Sequence, residues 1–325
     1  MNPKYPKRLQ MAHLPTPIEK LARLSQHLGG PEIYIKRDDL TGLATGGNKT
    51  RKLEFLVAEA LAHQCDYLVT VGGPQSNHCR QTAAAAARLG LGCALVLSGD
   101  PPFGKYGNLL LDELLGAELH WAGQLTRSER MVEVVSQLLT RGHKPYPIPL
   151  GGSNVIGATG YVLAMQELAG QLSQLELQPD FIIFASSSGG TQAGIVLGAQ
   201  LFGIPGQVLG ISIDHPADEL QTQVAALATA TATHLDVASV MVADRVKVND
   251  DYLGEGYAIV SDLERDAIRL LARQEGILLD PVYTGRAMGG LIDLIQWGAL
   301  TRNQKIIFWH TGGTAALSAF SEELT

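Results

Sequence analysis

The chain has 325 residues, of which 46% are hydrophobic and 18% are charged, and its net charge is −7 at pH 7. This length supports a large core divided between two domains or lobes. The negative charge, together with the lack of any Lys/Arg block, argues against a nucleic-acid-binding surface.

The sequence shows no targeting or membrane segment. Residues 1–10 are polar and lack the apolar stretch of a signal peptide, and no run approaches the roughly 18 apolar residues of a membrane span. Cys65, Cys79 and Cys93 are odd in number and lack the spacing of metal ligands. We therefore expect a reduced, cytoplasmic protein that binds no metal, nucleic acid or membrane.

Predicted strands and helices alternate along the chain. After the extended segment Pro15-Thr16-Pro17, helices are predicted at 18–28, 53–61, 83–87, 108–115, 127–141, 220–235, 263–273 and 291–295, and strands at 32–36, 67–71, 93–97, 181–185, 208–213 and 305–309. This alternation predicts an α/β fold with parallel-rich sheets covered by helices on both faces. The Pro- and Gly-rich residues 145–154 suggest the end of one lobe.

A glycine pair precedes a lysine and a predicted helix in residues 46–54, GGNKTRKLE. Glycine permits close approach of the backbone to a ligand, and a helix start favours an anion. Lys49 would then lie beside an anion, where its pKa can fall and where it can form a Schiff base. Two alternatives remain open. Residues 42–50 differ from a nucleotide-binding P-loop by the inserted Asn48, and a solvated lysine in an ordinary turn needs no ligand.

Polar, glycine-rich segments also occur at 72–80, 186–192, 280–286 and 310–313. Because ligands bind at the carboxyl ends of strands in open α/β sheets, their recurrence predicts a shared site. The segment Ser188-Gly189-Gly190-Thr191 offers backbone N–H groups and hydroxyls to a phosphate, although an ordinary strand–helix turn has the same pattern. The dinucleotide pattern G-x-G-x-x-G is absent.

Four further side chains are candidates for chemistry. Ser76 and Asn77 either cap a helix or contact a substrate and cofactor. A Ser/His hydrolase is disfavoured because G-x-S-x-G is absent and Ser76 and His78 are only two positions apart. Tyr283 suits ring stacking or proton transfer, or a place in the core, and Thr311 is a similar case after the last strand.

Together these segments resemble pyridoxal-phosphate enzymes of fold type II, the tryptophan synthase β-subunit fold. Within it, GGNKTRKLE, GGPQSNH and DPVYTG resemble the family of D-cysteine desulfhydrase and 1-aminocyclopropane-1-carboxylate (ACC) deaminase, over nearly the whole chain. The resemblance implies a homodimer that binds pyridoxal 5′-phosphate and a small amino acid. It also implies a large cofactor-binding domain of residues 1–45 and 156–325 and a smaller substrate-side domain of residues 46–155.

The resemblance assigns cofactor contacts to several positions. It implies that Lys49 forms the Schiff base and that Asn77 lies near the ring hydroxyl. The residues implied to hold the phosphate are Lys52, Ser188, Gly189, Gly190 and Thr191.

Substrate and proton handling are implied for Ser76, Tyr257 and Tyr283, with Tyr257 in a context only similar to the family's. ACC deaminases are expected to carry Glu and Leu where this chain has Thr284 and Thr311. A hydroxyl beside the pyridine nitrogen gives a weaker electron sink than a carboxylate does. The weaker sink suits loss of an α-proton and departure of a good β-leaving group.

We therefore expect a pyridoxal-phosphate-dependent carbon–sulfur lyase that converts D-cysteine to pyruvate, ammonia and hydrogen sulfide. L-cysteate sulfo-lyase and ACC deaminase are the enzymatic alternatives. A cofactor-binding protein without turnover is the alternative from another functional class.

Overall fold

The computed structural model describes residues 3–325. In this range the strands are β1 (Ile18–Lys20), β2 (Glu32–Arg37), β3 (Tyr67–Gly72), β4 (Gly92–Leu97), β5 (Glu118–Trp121), β6 (Pro145–Pro147), β7 (Phe181–Ser186), β8 (Gln207–Ser212), β9 (Lys247–Asn249) and β10 (Lys305–His310). The helices are α1 (Ala22–Leu28), α2 (Lys49–Ala62), α3 (Asn77–Leu89), α4 (Gly107–Leu114), α5 (Arg127–Thr140), α6 (Val155–Gln174), α7 (Gly190–Leu201), α8 (Ala217–His234), α9 (Asp262–Glu275), α10 (Thr284–Gln296) and α11 (Ser321–Leu324).

Two sheets organise these elements. The large sheet has the order β1-β2-β10-β7-β8-β9, and the small sheet has the order β5-β4-β3-β6. Every pairing between these strands is parallel except that of β1 with β2. The predicted α/β architecture with parallel-rich sheets is confirmed.

Both faces of the large sheet are buried. Along β7 and β10, Ile183 and Phe308 belong to the core on one face, whereas Phe184 and Trp309 belong to the core on the other. Successive side chains of a strand point to opposite faces, so such a strand must be apolar at consecutive positions. This explains why residues 181–185 form an uninterrupted apolar run.

The prediction of a helix over residues 18–28 is wrong for residues 18–21. Residues 18–20 form β1, whose Ile18 pairs with Lys36 of β2, and the helix begins only at Ala22. The extended backbone that Pro17 favours in the preceding residue continues through this edge strand. The short strands β5, β6 and β9 escaped prediction, and β6 carries two prolines, which only an edge strand accommodates.

Helix α6 was also not predicted. Every position from 157 to 162 is buried, so the first half of this helix lacks the polar face by which amphipathic helices are recognised. The helix lies between α2 and α7 and contacts both. No helix within residues 3–325 is long and apolar enough to cross a membrane.

Glycines set the distance between these three helices. A Cβ at Gly160 of α6 would collide with the carbonyl oxygen of Arg51 in α2. A Cβ at Gly194 of α7 would collide with the carbonyl oxygen of Ala158 in α6. Backbone therefore packs directly on backbone, which fixes the start of α2 relative to the start of α7.

A buried ionic cluster reinforces the same contact. Arg51 Nη2 of α2 donates to Asp38 Oδ1 at 2.8 Å and to Glu167 Oε1 of α6 at 3.0 Å. Tyr161 Oη donates to Asp38 Oδ2 at 2.6 Å. Lys36 Nζ, also buried, donates to Glu167 Oε1 at 2.5 Å. Because the carboxylates of Asp38 and Glu167 are matched by the cations of Arg51 and Lys36, the start of α2 can be buried without an uncompensated charge at this cluster.

Replacing Gly160 by alanine should separate α2 from α6 and lower the free energy of unfolding by about 1–3 kcal/mol, the usual result of overpacking. The matched control is Gly170→Ala in the same helix, where an added Cβ meets no atom within 4 Å. The control should be stabilised by roughly 0.5–1 kcal/mol through helix propensity. Urea unfolding of the three proteins measures both changes, and equal stability of the two variants would contradict the close-packing argument.

Candidate active site

A cavity of about 530 Å³ lies where the two sheets meet. The segments after β7 and β10 of the large sheet and after β3 of the small sheet all contribute to its wall. The start of α2 and the loop before α10 complete it. The polar segments predicted to share one site are therefore brought together, as expected for the carboxyl ends of parallel strands.

Lys49 is the first residue of α2, and its side chain lines the cavity. Its Nζ donates to Asn48 Oδ1 at 3.1 Å. Burial lowers the pKa of Lys49 to about 8, with Asp280 opposing the shift and Arg80 adding to it. A substantial fraction of the amine is therefore neutral near physiological pH, which suits a nucleophile or a base.

Lys52 lies one turn further along α2 and is fully buried. Its Nζ donates to the carbonyl oxygen of Gly151 at 3.0 Å and to Ser153 Oγ at 3.4 Å. Burial, and then the charge of Lys49, hold the pKa of Lys52 well below its usual range. Among residues 3–325 neither lysine forms a salt bridge, and only the charge of Asp280 opposes the lowered pKa of Lys49, so a bound anion would stabilise the charged form of both amines.

The start of α7 faces the same corner. Gly189 caps the helix in a left-handed conformation with φ +75°, and the N–H of Gly190 donates to Ser153 Oγ at 3.2 Å. Ser153 Oγ also lies 2.8 Å from Ser188 Oγ. A Cβ at Gly190 would come within 2.8 Å of Ser153 Cα, so the loop depends on glycine. Hydroxyls, N–H groups and a helix N-terminus converge here as in sites for anions.

Asn48 joins the two helix starts, because its Nδ2 donates to Thr191 Oγ1 at 3.0 Å. Its own backbone N–H donates to the carbonyl oxygen of Thr311, another residue of the cavity wall, at 2.9 Å. These two hydrogen bonds hold the loop before Lys49 to α7 and to the segment that follows β10 of the large sheet.

Asn77 lines the cavity with its amide in a fixed orientation. Its Oδ1 accepts hydrogen bonds from Arg80 Nη1 at 2.8 Å and from Asn108 Nδ2 at 2.9 Å. Because the oxygen is engaged by two donors, the Nδ2 group remains for a ligand. Ser76, the residue before it, caps α3 by accepting the N–H of Cys79 at 3.2 Å, so its hydroxyl proton is available to the cavity.

Thr284, unlike its neighbour Tyr283, does not line the cavity. It is fully buried at the start of α10, where its Oγ1 donates to Asp280 Oδ1 at 2.7 Å and accepts the Asp280 N–H at 2.9 Å. A hydrogen bond from Thr284 to a pyridine nitrogen therefore requires exchange of its bond to Asp280. Thr311, in contrast, lines the cavity directly.

Tyr257 and Tyr283 form a pair on the cavity wall, with their hydroxyl oxygens 2.7 Å apart. Burial raises the pKa of Tyr257 to about 12, with Asp214 and Asp280 adding to the shift and the Tyr283 hydrogen bond opposing it. Burial likewise raises the pKa of Tyr283 well above its usual range. Both hydroxyls therefore stay protonated, and the pair can donate hydrogen bonds.

The hydrogen bonds of the His78 side chain argue against a role as the base of a hydrolase. Its Nε2 lies 2.9 Å from Thr70 Oγ1, which donates its own proton to the carbonyl oxygen of Ile148. The imidazole must therefore donate to Thr70. Burial, and then Lys49 and Lys52, hold the pKa of His78 well below its usual range.

The sequence reasoning missed several side chains of this site. Ser153 follows Gly151-Gly152 directly before a helix, the same composition as the Lys49 loop, and this signal could have identified it. Asp214 follows the end of β8, a position at which polar residues were already suspected elsewhere. Arg80 and Asp280 lie in the predicted segments 72–80 and 280–286 but were given no role, and no local pattern marks Asn108.

Comparison with known proteins gives consistent results. Residues 9–312 match the model of the pyridoxal-phosphate dependent enzyme family. D-cysteine desulfhydrases of Klebsiella pneumoniae (strain 342) and Salmonella newport (strain SL254) are both 42% identical, covering 98% and 96% of this chain and 97% and 96% of their own lengths. A solved structure of an ACC deaminase homologue is 39% identical with a TM-score of 0.89, covering 99% of this chain and 96% of its own. Threonine deaminase isoform 2 from Solanum lycopersicum, at 18% identity and TM-score 0.66, covers 95% of this chain and 83% of its own and shares the fold.

The cavity fits pyridoxal phosphate. A phosphate beside Lys52 and the start of α7 would supply the counter-ion that the two lysines lack. Lys49 offers an amine to the aldehyde, and Asn77 offers a free amide donor to the ring. These groups match the phosphate, the aldehyde and a polar substituent of the ring, whereas a hydrogen bond from Thr284 to the pyridine nitrogen would require exchange of its bond to Asp280.

The cofactor-free protein should show the lowered pKa of Lys49 directly. Acetylation by acetic anhydride requires the neutral amine, so labelling of Lys49 should rise with a midpoint near pH 8. Lys20 is an internal reference, since it is exposed and its hydrogen bond to Glu32 raises its pKa. Peptide mapping after labelling at a series of pH values gives both curves. A Lys49 midpoint that coincides with that of Lys20 would contradict the assignment.

Proposed function

This chain belongs to the family of pyridoxal-phosphate dependent enzymes, and we propose that it is a carbon–sulfur lyase that converts D-cysteine to pyruvate, ammonia and hydrogen sulfide. Its fold is fold type II of those enzymes, as expected. One arrangement of side chains in the cavity supports the reaction type above all. Lys49 has a lowered pKa and lies near Lys52, and the same cavity contains a pair of protonated tyrosines. The choice of substrate is supported by the 42% identity to D-cysteine desulfhydrases over nearly the whole chain.

In this proposal the cofactor phosphate is held by Lys52, Ser153 and the Ser188–Thr191 segment. Lys49 attaches the cofactor covalently, and Asn77 orients its ring through the free amide nitrogen. When bound, pyridoxal phosphate supplies an electron sink for the negative charge that develops at the substrate Cα.

Once the substrate amine has displaced Lys49 from the cofactor, the freed amine is proposed as the base that takes the α-proton, since it is partly neutral near pH 8. The tyrosine pair is proposed to stabilise the departing sulfur. Tyr257 and Tyr283 together carry two hydroxyl protons and use one of them between themselves, so one remains for the substrate. The enamine product, once released, hydrolyses in water to pyruvate and ammonia.

The substrate carboxylate is proposed to lie beside Ser76. This residue caps α3, and the start of a helix favours an anion. Arg127, at the start of α5, contributes a cation to the same cavity. Ser76 thus has a free hydroxyl proton for the carboxylate or for proton transfer.

ACC deaminase remains a second candidate, because the ACC deaminase homologue is 39% identical and superposes over 99% of this chain. Thr284 and Thr311 favour the lyase. A hydroxyl at Thr311 would face the apolar ring of ACC without a partner, which is unfavourable. L-cysteate is the other alternative substrate, since sulfite is also a β-leaving group.

The finer assignments of location, assembly and domains belong to the same proposal. We place the enzyme in the cytoplasm, the compartment that suits its three free cysteines, and expect a homodimer. We propose residues 1–45 and 156–325 as the cofactor-binding domain and 46–155 as the smaller domain. The division of the strands between the large and small sheets supports these boundaries, and sedimentation of the purified protein tests the dimer.

Borohydride reduction of the holoenzyme should join the cofactor irreversibly to Lys49, and peptide mapping should find it there. Lys49→Ala should retain weak cofactor binding through the phosphate contacts but lose turnover by orders of magnitude, because base and attachment point vanish together. Lys52→Ala should instead weaken cofactor binding while the label stays on Lys49. Label recovered on Lys52, or on no lysine, would refute the assigned roles.

Pyruvate release from D-cysteine, L-cysteine, L-cysteate, D-serine and ACC should be fastest with D-cysteine. The double variant Thr284→Glu with Thr311→Leu should lose desulfhydration, since a carboxylate would replace the hydroxyl bound to Asp280 and the cavity wall would become apolar. Measurement of kcat/KM for these substrates, with the unaltered enzyme and with the double variant, tests both expectations. A preference of the unaltered enzyme for ACC, or for L-cysteate by more than about tenfold (roughly 1.4 kcal/mol), would overturn the substrate assignment.

A further inference from the structure

A carboxylate faces the cavity from the end of β8. Asp214 is the one acidic residue that the described part of the chain contributes to the cavity wall. Its Oδ2 accepts a hydrogen bond from Ser187 Oγ at 2.9 Å. Its Oδ1 is buried and has no hydrogen-bond partner, and His215 Nε2, at 3.7 Å, lies beyond hydrogen-bonding distance. A buried acceptor without a donor is costly, so this oxygen is suited to a donor on a ligand.

Asp214 and the tyrosine pair line the same cavity. The charge of Asp214 contributes to the raised pKa of both Tyr257 and Tyr283. The cations of the wall, Lys49 and Arg127, come from α2 and α5 instead. The cavity is therefore electrostatically divided, with its negative charge beside the groups proposed to face the leaving sulfur.

We propose that Asp214 determines which β-leaving group the enzyme accepts. Its free Oδ1 accepts a hydrogen bond from a neutral β-thiol, whereas its charge repels an anionic β-sulfonate. Like charges in a cavity shielded from water repel strongly, and such repulsion is an effective means of excluding a wrong ligand. This inference rests on the proposed function, because it assigns the leaving group of the same reaction.

The inference separates the two sulfur substrates on physical grounds. Cysteine and cysteate share the α-ammonium and α-carboxylate groups and differ at the β-carbon, where one carries a thiol and the other a sulfonate. A cavity that was cationic throughout would favour the sulfonate. The carboxylate of Asp214 reverses that preference at the position where the two substrates differ.

The test compares Asp214→Asn with Asp218→Asn in the holoenzyme. Both variants remove one negative charge, but Asp218 is exposed in the first turn of α8. D-cysteate is the anionic probe and keeps the configuration of D-cysteine. Its Kd is measured by spectroscopic titration of the bound cofactor, which needs no turnover. Turnover is followed with D-cysteine and with β-chloro-D-alanine, whose β-chloro substituent is neutral and carries no hydrogen to donate.

Asp214→Asn should tighten D-cysteate binding by about tenfold or more, because a like-charge contact at the site is removed. It should lower kcat/KM for D-cysteine and leave that for β-chloro-D-alanine within about twofold, since an amide accepts a hydrogen bond more weakly than a carboxylate and only the thiol has a hydrogen to donate. Asp218→Asn should change none of these values. An unchanged Kd for D-cysteate in Asp214→Asn, or an equal gain in Asp218→Asn, would overturn the inference.

Failure of the proposed function would look different. An unaltered enzyme that releases no pyruvate from D-cysteine refutes the lyase assignment. The Kd of D-cysteate in the two variants still decides the role of Asp214, because binding is measured without turnover.

Discussion

The first turn of α2 carries three basic side chains, and only one of them forms a salt bridge with a carboxylate. Arg51 forms salt bridges with Asp38 and Glu167, whereas Lys49 and Lys52 form no salt bridge among the described residues. Burying ammonium groups without compensation is unfavourable, so this corner lowers the pKa of both lysines and favours an anionic ligand. The proposed reactivity of Lys49 and the proposed binding of a phosphate would thus have a common electrostatic origin.

That arrangement depends on close helix packing. Gly160 and Gly194 let α6 approach both α2 and α7, so the two lysines and the N–H groups of α7 keep a fixed separation. Asn48 and Ser153 then bridge the remaining gap by hydrogen bonds to Thr191 and to Gly190. A displacement of α6 would move the proposed covalent and ionic contacts of the cofactor apart, and catalysis is sensitive to such shifts.

Local chemistry in the sequence predicted many of the residues that line this cavity. Glycines before Lys49 and at Gly189 marked the loops, because those backbones need conformations that other residues avoid. Helix α6 could not be recognised, since burial on all sides removes the amphipathic signal. The 2.7 Å contact of Tyr257 with Tyr283 joins residues 26 positions apart and depends on tertiary packing that no local pattern encodes.

The place of β10 in the large sheet has a consequence for biosynthesis. This strand lies between β2 and β7, although it follows both in the chain. A nascent chain emerging from the ribosome can pair all strands of the small sheet early, but β2 and β7 must wait for β10 with their inner edges unpaired. Unpaired edges invite pairing with other chains, so the growing polypeptide is most vulnerable to aggregation before β10 is released from the exit tunnel.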